Sequence, residues 1–385
     1  MTHKQKKWTP KEEKFLKNNF DSMSNPELAE KLSRSISSVE KKAYAMGLRR
    51  KGRNKLTSKE GIADAVQQEK RRMDYRQKDK LIREMIKDKA STEIVVDLLQ
   101  DIVPKVKFTP RKFIAHPDKG HEEIAVLLLG DSHFGRYSAS LMENKMEQLY
   151  CGVTKLIKIH RTAYPVNELV INMLGDVVDG DEIFPGQAYE QKFHLMDQMY
   201  TYGLPMMVRF LSQLSNDFEK ITINCVPGNH GRKSKTTDKR LNFDTIFYKA
   251  MEFATANNPR LHWNIEWDWY QIVDIFGWKF LLTHGANIRT WLNIPVYGIL
   301  QKGMRWKGSL PEDYDYLIMG HFHTTWNFRW NDFEVYMNGT WLDNDKWAME
   351  QLGMDSVTKQ FLLGVNKKRG VTWSYKIALN GNQRG

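Results

Sequence analysis

Five short stretches of this 385-residue chain each end in side chains that bind metal ions or move protons. IAVLLLG is followed by Asp131 and His133, and ELVINMLG by Asp176 with Asp179 three residues on. KITINCVPG runs into Asn229 and His230, WKFLLT into His284, and YLIMG into His321 and His323. A lone histidine at such a place is ordinarily a hydrogen-bonded structural residue. Five metal-capable exits in succession, using five of the chain's 11 histidines, point instead to a shared centre. Imidazole mixed with carboxylate and amide oxygen suits Mn, Fe or Zn better than Ca or Mg alone. A carboxylate paired with an imidazole is also the usual means of moving a proton at neutral pH.

Such a set needs elements that bring distant residues together. Each apolar run is short, rich in β-branched or aliphatic residues and closed by a polar turn, the pattern of a buried strand. Helical spacing fills 138–161, 189–214 and 243–257 between them. Buried strands alternating with helices predict an α/β sandwich, in which ligands gather at the carboxyl ends of strands. Gly130, Gly175, Gly228 and Gly320 stand at those exits, where backbone must approach the site closely.

The order of the five pieces is similar to that of the calcineurin-like metallophosphoesterases, over about residues 123–342. The matching motifs are Asp131-Ser132-His133, Gly175-Asp176-Val177-Val178-Asp179, Gly228-Asn229-His230, Thr283-His284-Gly285 and Gly320-His321-Phe322-His323. The resemblance implies a metallophosphoesterase β-sandwich flanked by helices, with two divalent metal ions, Mn first and Fe or Zn as alternatives. It implies that Asp131, His133 and His323 hold one ion and Asn229, His284 and His321 the other, with Asp176 bridging. It makes His230 the group that protonates the leaving oxygen, with Asp179 orienting it. Asp131-Ser132-His133-Phe134-Gly135 resembles the form frequent in the DNA repair nucleases, although those often carry His where this chain has Asp179. Gly180 and Gly231 replace the Arg and Glu expected of protein serine/threonine phosphatases.

The N-terminal stretch has a different texture. Thr9-Pro10-Lys11-Glu12, Ser24-Asn25-Pro26-Glu27 and Ser37-Ser38-Val39-Glu40 read as three capping boxes, hence three short helices. Trp8, Phe15, Leu16, Leu28, Leu32, Val39, Ala43, Met46 and Leu48 would make their core, and Gly47 would end the third. Residues 1–55 hold 15 Lys and Arg against 6 Asp and Glu, nine of the chain's net charge of +12. Concentrated positive charge is what a polyanion binder needs. The segment resembles a Myb/SANT-like or helix-turn-helix module, which implies DNA contacts from Lys41, Lys42, Tyr44, Arg49, Arg50 and Lys51 on and after the third helix. A protein-docking bundle is the alternative.

These readings divide the chain into 1–55, a small all-α three-helix domain; 56–115, a helical linker; and 116–385, the metallophosphoesterase domain. Residues 56–105 are charged and Gln-rich and leave room for a protein partner or a second copy. The cationic loop Arg232, Lys233, Lys235, Lys239 and Arg240 could follow a nucleic-acid backbone. Asp181 and Glu182 would disfavour a small polyanion at their edge. Of the many Trp in the last third, most are expected to pack in the core or against a partner, although aromatics near a basic groove can stack bases. No run reaches the ~18 apolar residues of a membrane span, no signal peptide is read at the N-terminus, and two cysteines, both read as packed thiols, suit a reducing cytoplasm. The expected function is DNA phosphodiester hydrolysis, endo- or exonucleolytic; hydrolysis of nucleotides or other small phosphate esters is the alternative.

Overall fold

In the computed structural model the described residues are 8–20, 22–48, 96–97, 99–100, 103–109, 111, 113, 122–180, 183, 187–233, 242–292, 294–343 and 358–379. They fall in two compact units, Met1–Lys80 and Leu81–Gly385.

In the first unit, α1 (Pro10–Asn19) and α2 (Asn25–Lys31) begin with the two capping boxes read from the sequence. Glu12 accepts the Thr9 N–H at 2.8 Å and Glu27 accepts that of Ser24 at 2.7 Å, while Thr9 and Ser24 cap in return. The third box does not form. α3 (Ile36–Ala45) starts earlier, capped by Ser35. Its third residue is Ser38, too short to reach back, and Glu40 instead accepts from Asn25 Nδ2 of α2 at 3.2 Å. Gly47 adopts φ +67° and Leu48 N–H reaches Ala43 O at 2.9 Å, ending the helix. Leu16, Phe20, Leu28, Ala29, Val39 and Ala43 form the core. Phe20 takes the place expected of Phe15, which is exposed.

The second unit is two packed sheets. Its strands are β1 (Glu123–Leu129), β2 (Glu168–Met173), β3 (Lys220–Cys225), β4 (Leu261–Ile265), β5 (Tyr270–Ile275), β6 (Trp278–Thr283), β7 (Tyr316–Met319), β8 (Trp326–Trp330), β9 (Phe333–Met337), β10 (Lys359–Asn366) and β11 (Gly370–Ala378). One sheet runs β11-β10-β1-β2-β3-β4 and the other β5-β6-β7-β9-β8. β1 through β4 are parallel, as are β6, β7 and β9. Every residue of β1 is buried, because alternate side chains enter different cores. Ala125, Leu127 and Leu129 face a helical layer, whereas Ile124, Val126 and Leu128 face the second sheet.

The helical layer comprises α4 (Ala139–His160), the short α5 (Gln187–Glu190), α6 (Leu204–Leu214) and α7 (Phe243–Thr255). α8 (Pro295–Ser309) covers the outer face of the second sheet through Ile299 and Trp306. The continuous helix expected over 189–214 is interrupted: Asp197–Gly203 is a π-helical stretch running into α6. A β-carbon at Gly203 would strike the Phe134 and Phe247 rings and its own helix. Among the described residues no helix is long and apolar enough to cross a membrane.

Candidate metal centre

The exits of β1, β2, β3, β6 and β7 meet at one end of the sandwich. Asp131, His133 and His323 place ligand atoms within 4.8 Å of one another; so do Asp176, His284 and His321, and so do His133, Asp179 and His230. Asn229 joins the second group, its Oδ1 lying 2.9 Å from His284 Nε2. Asp131, His133, Asp176, His321 and His323 all adopt left-handed backbone, with φ from +46° to +70°. For side chains other than glycine this costs on the order of 1–3 kcal/mol each and is characteristic of functional sites. Gly175, at φ +84°, crosses the backbone of Gly228 so closely that a β-carbon on it would overlap that chain. Gly228 in turn leaves no room for one of its own against the Asp176 carboxylate.

Hydrogen bonds settle which imidazole nitrogen faces inward. His133 Nδ1 donates to Asp179 Oδ1 at 2.8 Å and His284 Nδ1 to the Leu174 carbonyl at 2.7 Å. Their Nε2 atoms are therefore the nitrogens left facing inward, open to a proton or a metal ion. The His133 lone pair lies 3.2 Å from His323 Nε2, which is 3.3 Å from Asp131 Oδ1. His284 Nε2 lies 2.9 Å from both Asn229 Oδ1 and Asp176 Oδ2. Acceptors converging on acceptors are reconciled by a cation or a proton between them. This donor set fits divalent metal at both groups.

The protein's own charges set the protonation pattern. Burial holds His133 below the usual imidazole range, against the pull of Asp179, and it holds His321 well below. At His284 burial acts downward too, but the Asp176 carboxylate outweighs it and raises the imidazole to about 9. Asp176 is depressed well below the carboxylate range: burial opposes this, and His284 and His230 prevail. A divalent ion held by this group would take the place of the His284 proton. Burial also opposes charge on His230, yet Asp176 and Asp179 keep it above its ordinary value. Asp179 is the centre of that arrangement. Burial notwithstanding, His133 and His230 depress it strongly. Its Oδ1 is 2.8 Å from Nδ1 of both histidines, and its Oδ2 takes Arg136 Nε at 2.5 Å.

Several supporting residues escaped the sequence reading. Asp244, wholly buried near the start of α7, accepts the backbone N–H groups of Asp176, Val177, Val178 and Gly228 at 2.9–3.1 Å. It thereby joins the β2 and β3 exits. Burial and the nearby Asp176 charge push its carboxyl up to about 6. Gln198, on the π-helical stretch, accepts the Asp179 N–H at 2.9 Å, so the irregular helix lies against the site, where such stretches are frequent. Gln360 of β10 accepts the Gly130 N–H at 3.0 Å. The sequence marked Asp244 only as an acidic residue at a helix start, and nothing in it pointed to the glutamines.

Other expectations divide. Trp341 is buried in the core, whereas Trp326 and Trp330 are exposed on β8. Cys225 is buried, but Cys151 is exposed rather than packed, lying on the outer face of α4. In the first unit Tyr44 is 89% exposed and Lys41 is exposed, but Lys42 is committed to Glu13 at 2.5 Å. Arg34 forks onto Glu12 with two 3.0 Å bonds and lies over the Trp8 ring. Arg49, Arg50, Lys51, Asp181, Glu182, Lys235, Lys239, Arg240 and most of the 56–115 segment lie outside the described residues.

The profile of the calcineurin-like phosphoesterase family matches residues 124–355. No curated protein matches the chain. Among solved structures it is similar to a novel archaeal phosphodiesterase at 14% identity, covering 66% of this chain and 99% of that one with a TM-score of 0.32. Vacuolar protein sorting 29 from Cryptosporidium parvum matches at 16% identity, with 63% and 86% covered and a TM-score of 0.32. A hypothetical protein from Pyrococcus horikoshii OT3 matches at 9% identity, with 67% and 89% covered and a TM-score of 0.35.

Proposed function

This chain belongs to the calcineurin-like phosphoesterase family, which uses a dimetal centre, and on that premise we propose that it is a dimetal phosphodiesterase that cleaves DNA. Asp131, His133 and His323 would hold one ion and Asn229, His284 and His321 the other, with Asp176 shared by both. When bound, two divalent ions supply Lewis acidity toward a phosphoryl group and ease deprotonation of water. The observation that carries the reading is the undiminished donor set together with His230, whose Nδ1 is tied to Asp179 at 2.8 Å. That tie makes Nε2 the nitrogen that exchanges a proton with the leaving oxygen. The raised affinity of His230 for its proton suits a general acid near neutral pH.

DNA as the substrate is supported by the charge of residues 1–55 and by the exposed Lys41 and Tyr44 of α3. Tethering a basic helical module to the catalyst raises its concentration along the polymer. The test is cleavage of labelled linear, circular and single-stranded DNA with Mn²⁺, by wild type and by His230→Ala. Cleavage that chelator and the substitution both abolish is expected, and the circular substrate separates endo- from exonucleolytic action. Wild type that leaves all three DNAs intact while hydrolysing bis(4-nitrophenyl) phosphate would move the substrate to a small ester.

A further inference from the structure

A cavity of about 330 Å³ opens directly beside the second metal group. Gly228 and His284 form its inner wall, and Trp269, Trp306, Arg232, Lys302 and Asn287 are among the residues lining the rest. The volume is within the range of small-ligand sites. Its chemistry is specific. Trp269 is half-buried, its ring 5.1 Å from that of Trp306, and Lys302 Nζ lies 5.9 Å from the Trp306 ring centre. Among the described residues neither Lys302 nor Arg232 is in an ion pair, unlike Lys307 one turn along α8, which meets both Asp313 and Asp332. Two cations that line one cavity with an indole, neither paired with a carboxylate among the described residues, suit a ligand with a flat aromatic part and a negative charge close to it.

A phosphate at the metal group has this cavity as its neighbour, because His284 belongs to both. We propose that the cavity is a nucleotide subsite. It takes the base of one unpaired nucleotide against Trp269, with the adjoining phosphate between Arg232 and Lys302. The inference rests on the phosphodiesterase reading above and adds a constraint to it. A base enters such a cavity only when released from its duplex partner, so the site acts on single-stranded, frayed or flipped-out nucleotides.

The test compares the full chain with Trp269→Ala, Trp269→Phe and Lys302→Gln, all with Mn²⁺. One substrate is a single-stranded oligonucleotide, a second is its duplex, and bis(4-nitrophenyl) phosphate serves as the ester without a base. Stacking a base is worth about a tenfold effect or more. Trp269→Ala is therefore expected to lower the ratio of kcat/KM for the single strand to that for the aryl ester about tenfold, through KM. Trp269→Phe should restore most of that ratio, and Lys302→Gln should lower it without touching the core. Wild type should prefer the single strand to the duplex. Equal losses on both substrates, or no loss on the oligonucleotide, would overturn the subsite. If wild type cleaves no oligonucleotide, the DNA reading fails by itself. The cavity is then judged on thymidine 5′-(4-nitrophenyl) phosphate. A preference for that ester over the base-free one that Trp269→Ala removes supports it, and absence of any preference overturns it too.

Discussion

Asp244 is expected to be the main structural support of the metal centre although it holds no metal. Its Oδ1 accepts Val177 and Val178 N–H at 3.0 and 3.1 Å, and its Oδ2 accepts Asp176 and Gly228 N–H at 2.9 Å each. Replacing it with Ala leaves four buried donors without an acceptor, and an orphaned buried donor costs about 1–3 kcal/mol. The opposing gain is relief of a buried carboxylate that already resists ionisation, with its carboxyl raised to about 6 by burial and Asp176. The net loss expected for Asp244→Ala is about 4 kcal/mol, near the top of the range for single substitutions. Asp244→Asn keeps one oxygen and turns an amide N–H₂ toward the other two donors, for a loss of about 2 kcal/mol. Urea unfolding of both variants measures this: the midpoint should fall in that order with the slope unchanged. Manganese affinity should fall as well, since the backbone of Asp176 and of Gly228-Asn229 loses its common anchor. An Asp244→Asn protein as stable as wild type and binding Mn²⁺ equally well would refute the argument.

His230→Gln is expected to retain both ions, measured by bound-metal analysis, while kcat for an aryl phosphodiester falls about 10²–10⁴-fold, the usual worth of a positioned acid; loss of metal would make His230 a ligand instead. Gly228→Ala drives a methyl into the Asp176 carboxylate, so it should expel the second ion and inactivate the protein, whereas full occupancy with normal turnover would contradict the close approach. Glu12, lowered to about 2 first by its hydrogen bonds from Arg34 and then by those of Thr9, contributes to the three helices fully above the ordinary carboxylate range, and the contribution disappears as pH falls from about 4.5 through 2. An NMR titration of its side-chain carboxyl carbon should show that low midpoint, and a midpoint above 4 would mean that the Arg34 fork does not hold in solution.

The strands β1, β2, β3, β6 and β7 were legible because they are buried on both faces and read as unbroken apolar runs ending at a polar turn. β8, with its exposed Trp326 and Trp330, and β11, in which only Gly370 and Ile377 are buried, lack that signature and were not found. The helices of the first unit were read from local chemistry, since Thr9–Glu12 and Ser24–Glu27 bonds span only three residues. The third start was misplaced because Glu40 has a partner 15 residues away. Helical spacing carried the reading across 189–214 as one helix. The π-helical stretch carries Gln198, whose partner Asp179 lies 19 residues back, beyond the reach of any local pattern.

Taken alone, then, the order and type of the donor residues, the turns that carry them and the concentration of positive charge near the N-terminus were set by the sequence. Only the tertiary structure decided that Asp179 serves His133 and His230 at once, that Asp244 clamps one loop 66–68 residues before it and a second 16 residues before it, and that Trp269, Lys302 and Arg232 meet beside His284. Period and capping report on neighbours a turn or two apart. The lone pairs of an imidazole and the acceptors of a carboxylate are allotted by whichever strand exits two facing sheets bring within 3 Å.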